Sequence, residues 1–385
     1  MDFGLFHFGS YKEYSTSGKY QQLFDTVRFA DTNGFCCVWT PERHFNEFGG
    51  LFPNPSVLSA SLAVITSNVQ IRSGSLVAPL HHPVRIAEDW SLIDNLSNGR
   101  VAISFASGWQ CDDFVFFPEN YAERHECMME RIESVKRLWR GEKLPFKNGL
   151  GKEVEVAIFP KPIQKELPVW ITVSGRTETF IDAGKIGANI LTHLLWQETD
   201  ELIEKIAAYR KSLRDHGFDP RSGKVAVMVH TCLGKSNESV KEKVREPLKN
   251  YIRTSTQLIQ SMVKSNVTTV QAKEIGGRYG GLDHDIPPHL MDELVEIAFN
   301  RFFEQAGLLG TIDKASGLIQ KLRGYDVDEI AALIDFGLDR ADIMEGLTYL
   351  RDLKNMDKKD LYNKDIYDTK SPAESLFTSP VTDEF

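Results

Sequence analysis

The chain is predicted to form one α/β domain, a (β/α)8 barrel of the TIM type with insertions. Two observations on its 385 residues predict this. Short apolar runs of strand length alternate with stretches of helical periodicity, eight times over. No G-x-G-x-x-G follows the first run, which weakens the dinucleotide-binding form of the runner-up, a doubly wound open sheet. No internal repeat of about 20 to 50 residues suggests a solenoid.

The elements read in order as follows. Phe3 to Phe8 is a strand and Lys19 to Asn33 a helix. Phe35 to Thr40 (FCCVWT) is a buried strand, and a helix from Pro55 to Thr66 opens on proline in its first turn. Val69 to Val77 is a strand, and Pro83 to Leu96 a helix closed near Gly99. Val101 to Phe105 is the fourth strand, and the helix Ala122 to Trp139 ends at Gly141. Residues 142 to 167 break the rhythm: Asn-Gly followed by strict alternation in GKEVEVAIF signals a hairpin insertion. The rhythm resumes with strands Val169 to Val173 and Asn189 to Leu194 and helices Thr177 to Ile186 and Glu198 to His216. A strand, Lys224 to Cys232, precedes a long helix, Glu238 to Gln260. Residues 261 to 290 are polar and Gly-rich and read as a mobile excursion. Helices Met291 to Gln305 and Thr311 to Leu322, the eighth strand Glu329 to Ile334 and a closing helix Ala341 to Leu353 complete the domain, 1–355. The charged stretch 356–385 reads as a flexible tail.

Bulk composition narrows the function classes. The net charge of −9 disfavours a nucleic-acid partner. The N-terminus lacks a basic region followed by a long apolar one, and no apolar run approaches the ~20 residues a membrane span needs. Five cysteines without regular spacing read as buried thiols of a cytoplasmic protein rather than a disulfide framework or a zinc site.

In a barrel, chemistry collects where strands end at their carboxyl side. After the second strand stand Glu42, Arg43 and His44, acid and bases in succession, which suit proton transfer or, more blandly, a solvated ion-pair loop. After the third come Ser75 and the doublet His81-His82; adjacent histidines do not readily chelate one ion, so no metal is expected and His82 reads as substrate-lining. After the fourth, small residues around Ser107 flank Trp109 and suit a flat ring close to backbone, although a Trp more often simply packs. After the fifth, Ser174, Gly175, Arg176 and Thr177 run into a helix, which suits an anion or an ordinary helix cap. His193, at the end of the sixth strand, reads as a further substrate-lining residue.

The wording of several stretches carries a resemblance. MDFGLFHF, GFCCVWTPERHFNEFGGLFPNPSV, SLVAPLHHPVRIAEDWSLIDNLSNGRV, PVWITVSGRTETF, LLGT and VDEIAALIDFG are similar to bacterial luciferase α chains and their relatives, over residues 1 to 355. TPERHF, SFASGWQCDDFVFFPENYAERHE and GANILTHL resemble more closely the luciferase-like monooxygenases of polyketide and nonribosomal peptide biosynthesis. The resemblance implies a flavin monooxygenase that receives reduced FMN from a separate reductase, uses O2 as co-substrate and hydroxylates an acyl or aminoacyl group, perched in some relatives on a carrier protein. It implies Arg124 and the loop Ser174, Gly175 and Thr177 on the FMN phosphate, with Arg176 substituting for an arginine that stands where this chain has Ser107. It implies the flavin ring near Ser75, Ser107 and Trp109, and a cis peptide or similarly strained backbone at Gly74-Ser75. It also implies a homodimer through the second and third helices, with Leu58, Leu62 and Ile65 as candidate contacts or, equally, as residues that face the barrel. One departure matters: luciferase carries its catalytic histidine where Arg43 stands here, so light emission is not implied. Arg43 suits a carbonyl or developing anion, and His44 a proton shuttle. A deazaflavin- or flavin-dependent dehydrogenase or reductase of the same fold, and a non-catalytic flavin-binding protein, remain alternatives.

Overall fold

A computed structural model describes residues 1–9, 18–195, 199–265 and 288–368. Most of the expected excursion and the end of the tail lie outside the described residues.

Eight parallel strands close into a barrel. In chain order they are β1 (Asp2–Phe6), β2 (Cys37–Thr40), β3 (Gln70–Val77), β4 (Val101–Ala106), β7 (Val169–Thr172), β8 (Asn189–His193), β9 (Val225–Leu233) and β11 (Glu329–Leu333). Each pairs with the next, and β11 returns to β1 with Asp2 opposite Glu329 and Phe6 opposite Leu333. These are the eight strands expected from the apolar runs. Strands of a parallel barrel are covered on both faces, so they read as continuous apolar runs; β9, VAVMVHTCL, is buried along all nine residues.

Two pieces lie off the barrel. β5 (Leu144–Lys147) and β6 (Glu153–Val156) form the expected antiparallel hairpin, with Leu144 opposite Val156. β10 (Leu308–Gly310) adds a short parallel partner to the upper end of β9. It follows a π-turn, Phe302–Ala306, at the end of a helix, and its three residues are too few to show a period.

Helices wrap the outside: α1 (Gln21–Thr32), α2 (Pro55–Ala63), α3 (Pro83–Ser97), α4 (Arg124–Trp139), α5 (Thr177–Lys185), α6 (Thr199–Asp215), α7 (Asn237–Ser265), α8 (Pro288–Arg301), α9 (Ile312–Gly324) and α10 (Arg340–Asp368). The helix starts follow local chemistry. Asn54 caps α2 by accepting from Val57 N–H at 2.9 Å, and Pro55 occupies a position whose N–H needs no helical partner. α10 runs past the expected end at Leu353 to Asp368.

α2 turns Leu62 fully into the barrel, and Leu58 and Ile65 pack partly against the core. Of the three residues expected at a dimer face, Leu62 therefore belongs to the core, because helical spacing sets all three towards the strands. The exposed apolar residues of this face are Val57, Val64, Leu92 and Leu96.

The amino-terminal end of the barrel is plugged. Arg72 of β3 donates from Nη1 to both carboxylate oxygens of Glu329, at 2.9 and 3.0 Å. Its guanidinium lies between Trp39 and Trp170, 4.7 and 4.6 Å from their ring centres. Trp39 Nε1–H and the Cys37 thiol also point to Glu329 Oε1. Gly4 permits this crowding, since a Cβ there would come within 2.3 Å of Cys37 Sγ. Function is thereby confined to the other end.

Candidate active site

β2 ends at Thr40, and Pro41 turns the chain across the barrel mouth. The next three side chains are buried although all are polar: Glu42, Arg43 and His44. Buried polar groups need partners, and these have found one another or their neighbours. Glu42 Oε1 accepts from His44 Nε2 at 3.0 Å and from His81 Nε2 at 2.6 Å. Glu42 Oε2 accepts from the backbone N–H of Val77 at 2.7 Å. Burial alone would raise the Glu42 carboxyl; the charge of His81, the two imidazole bonds and the Val77 N–H outweigh it and hold the group below the usual carboxylate range. Glu42 is thus an anion flanked by two imidazoles.

Arg43 turns the other way. Its Nη1 donates to Asp113 Oδ2 at 2.6 Å, and its guanidinium sits 5.0 Å from the ring centre of Trp109. Burial pushes the Asp113 carboxyl up to about 6, against the opposing pull of Arg43 and then His44. A lid of aromatic edges closes over His44. Phe116 meets its ring edge-on at 4.9 Å, and Phe45, 66% exposed, lies 5.5 Å from Phe116.

The remaining expected residues fall into separate groups. Gly74-Ser75 is a cis peptide, as expected. Ser75 Oγ donates to Thr172 Oγ1 at 2.6 Å, and Thr172 Oγ1 is 2.7 Å from Ser104 Oγ, so three strands meet in one chain of hydroxyls. Ser107 and Trp109 flank Gly108, which has φ +82°; a Cβ there would come within 2.8 Å of Val77 and 2.9 Å of Phe114. Arg124, at the start of α4, donates from Nε to Gly108 O at 3.1 Å and from Nη1 to Tyr121 O at 2.9 Å, and lies over the Tyr121 ring. His125 and Asp182, 2.9 Å apart, tie the start of α4 to α5. Ser174, Gly175, Arg176 and Thr177 lead into α5, whose first turn receives no side-chain cap, and Arg176 is drawn towards Glu178 at 3.8 Å.

The two histidines expected to line the substrate stand in different surroundings. His82 is exposed; it caps α3 by accepting from Val84 N–H and packs on Phe146, while its neighbour His81 turns inward. His193 is half-buried, with Nδ1 accepting from Leu195 N–H at 3.3 Å, and desolvation pushes it down to about 4, helped by the charge of Lys205. Three residues at this end were not singled out as site residues from the sequence: His81, Asp113 and His230. His230 of β9 sits among Tyr251, Phe302 and Phe336, at 5.0 to 5.3 Å, with Nε2 unpartnered. Among the described residues, one group of three donors lies close enough for a metal, Cys36, Cys37 and Glu329. It is on the plugged floor, where Arg72 already holds the carboxylate.

A family model described as luciferase-like monooxygenase matches residues 1–299. The chain belongs to the luciferase-like monooxygenase family. It is a flavin-dependent enzyme by that membership. This luciferase-like monooxygenase is 26% identical, over 88% of its length and 90% of the relative's, to the oxygenase component of flavin-dependent trigonelline monooxygenase from Acinetobacter baylyi. It superposes on the monooxygenase RslO1 from Streptomyces bottropensis with a TM-score of 0.71, at 19% identity, covering 91% of this chain and 98% of that one. It superposes on the oxygenating constituent of 3,6-diketocamphane monooxygenase from Pseudomonas putida, solved with FMN, with a TM-score of 0.69 at 17% identity, covering 91% and 97%. Among the described residues no helix is long and apolar enough to cross a membrane.

Proposed function

We propose that this luciferase-like monooxygenase takes reduced FMN from a separate flavin reductase and uses O2 to hydroxylate an organic substrate of secondary metabolism. The observation that carries this reading is the buried Glu42–His44–His81 network at the barrel mouth, beside Arg43 and Asp113. The residues present suit a phosphorylated ring. The uncapped first turn of α5, the hydroxyls of Ser174 and Thr177, and Arg176 offer donors to a phosphate, with Arg124 at the start of α4, whose neighbour His125 is tied to Asp182 of α5. Ser75, Ser107 and Trp109 form the flat wall beside it. When bound, the flavin supplies the activation of O2 and the transfer of one oxygen atom.

The chain's own residues manage protons and water. Glu42 is acceptor-only, so His44 and His81 each present Nε2–H to it. That fixes both tautomers and leaves His44 Nδ1 as the basic atom. His81 is half-buried and reaches solvent; His44 is buried. Glu42 bonds His44 Nε2, so a proton taken at His44 Nδ1 makes an imidazolium that the carboxylate stabilises. The aromatic pair Phe45 and Phe116 keeps water from His44. A carrier-bound acyl group offers this mouth a thioester carbonyl; a free acid offers a carboxylate.

The test supplies FMN reduced chemically, with 18O2 and an extracted small-molecule pool. Wild type labels a product. His44→Ala should consume O2 and release peroxide while product label falls by about 10²-fold or more. Undiminished labelling by His44→Ala would remove the network from the reaction.

We infer two further properties. The face formed by Val57, Val64, Leu92 and Leu96 pairs two copies into a homodimer. Five free cysteines suit a reducing cytoplasm.

A further inference from the structure

Arg43 is buried with half of its fork unanswered. It is 3% exposed, and among the described residues neither Nε nor Nη2 has a hydrogen-bond partner. Asp113 answers Nη1 alone. The side chain is nonetheless held firmly. Its backbone N–H donates to Phe52 O at 2.9 Å, Trp109 lies against the guanidinium, and Gly49 lets the chain press on its stem, where a Cβ would come within 2.8 Å of Arg43 Cγ. Nε–H and the nearer N–H of Nη2 lie along one edge of a guanidinium and point the same way. Two parallel donors with a full positive charge match the two oxygens of a carboxylate. Leaving buried donors unpaired is costly, and a site retains such donors when a ligand completes them.

We propose that the substrate is a free organic acid whose carboxylate closes the Arg43 fork on Nε and Nη2. This rests on the reading that the mouth after β2 is the substrate side. It selects between the two substrate forms: a thioester offers one neutral carbonyl oxygen and would leave one donor of the fork empty. Asp113 acts as a positioning residue, fixing Nη1 so that the other edge faces the substrate. Trp109 supplies a flat surface under the guanidinium.

The experiment titrates the purified full chain with benzoate and with benzamide, its neutral counterpart of equal shape, and separately with FMN. Wild type should bind benzoate at least about tenfold tighter than benzamide, the difference a charge-assisted pair confers. Arg43→Gln should remove that preference. Arg43→Lys keeps the charge and not the fork, so it too should lose most of it; being the milder change, it serves if the Gln variant does not fold. Lys211→Gln, on the exposed face of α6, should keep it. Equal binding of benzoate and benzamide by wild type, or an undiminished preference in both Arg43 variants, overturns the proposal. A fall in FMN affinity matching the fall in benzoate affinity also overturns it, because the fork would then belong to the flavin. Failure of wild type to bind FMN at all would instead sink the flavin reading, with the benzoate comparison still deciding the fork.

Discussion

At the scale of single residues, the charge balance around Arg43 makes substrate affinity depend on pH. Burial holds Asp113 near 6; Arg43 and His44 pull it down, and Glu42 and Asp112 push it up. Below that value the carboxyl is neutral and Arg43 presents an uncompensated charge to an incoming anion. Benzoate affinity should therefore rise by about threefold or more from about pH 7.5 to about pH 5.5, and Asp113→Asn should flatten that part of the profile. A profile unchanged by Asp113→Asn would separate Asp113 from the anion site. Glu42, Arg43 and His44 stood out in the sequence because three titratable or charged residues run in succession just past an apolar strand. His81 and Asp113 were not, because each is half of a doublet. Which histidine turns inward is decided by the short 3-10 turn Ala78–Leu80, and which aspartate by the 3-10 turn Cys111–Phe116. One residue of phase reverses the choice, and composition carries no phase.

At the scale of elements, the strands were legible and the exposed helix faces less so. Most of the barrel strands are apolar runs bounded by polar turns, so length and burial agree; β3, QIRSGSLV, is the mixed one. β10 was missed because Leu-Leu-Gly is short and is set by pairing with β9 rather than by its own pattern. In α2, hydrophobicity runs nearly all round, so the sequence does not say which apolar residues face out; packing assigns Leu62 inward and Val57 and Val64 outward, at 69% and 67% exposure. That face joins Leu92 and Leu96 of α3 into one apolar patch. A charge introduced there should break the pairing: Val64→Asp is expected to run as a monomer by light scattering at micromolar concentration, with a melting temperature close to wild type measured as a monomer. A wild type that is monomeric at that concentration would refute the dimer.

At the scale of the whole molecule, desolvated histidines make the barrel sensitive to acid. Desolvation holds His7 and His193 down to about 4 and His230 to about 3. Each is depressed below its unfolded value, so its contribution to stability is complete above about pH 6.5 and lost as pH falls through the folded value. Glu42 and Asp182, held low by partners, act in the same direction in a lower window. Asp113 opposes them, because its raised carboxyl favours the acid state. Three terms outweigh one, so denaturant stability should fall by several kcal/mol between about pH 6.5 and about pH 4, each histidine contributing on the order of 3 kcal/mol. His230→Phe, matched to its aromatic surroundings, should blunt that fall; an unaltered slope would locate acid sensitivity elsewhere. The plugged floor has a consequence of another kind. With Arg72, Glu329 and two tryptophans sealing one end, the described residues form a vessel with its doorway at the other. If the proposed cofactor, acid and oxygen share it, whichever sits deepest would arrive first and leave last, and the order of events in turnover would follow from the architecture rather than from any one affinity.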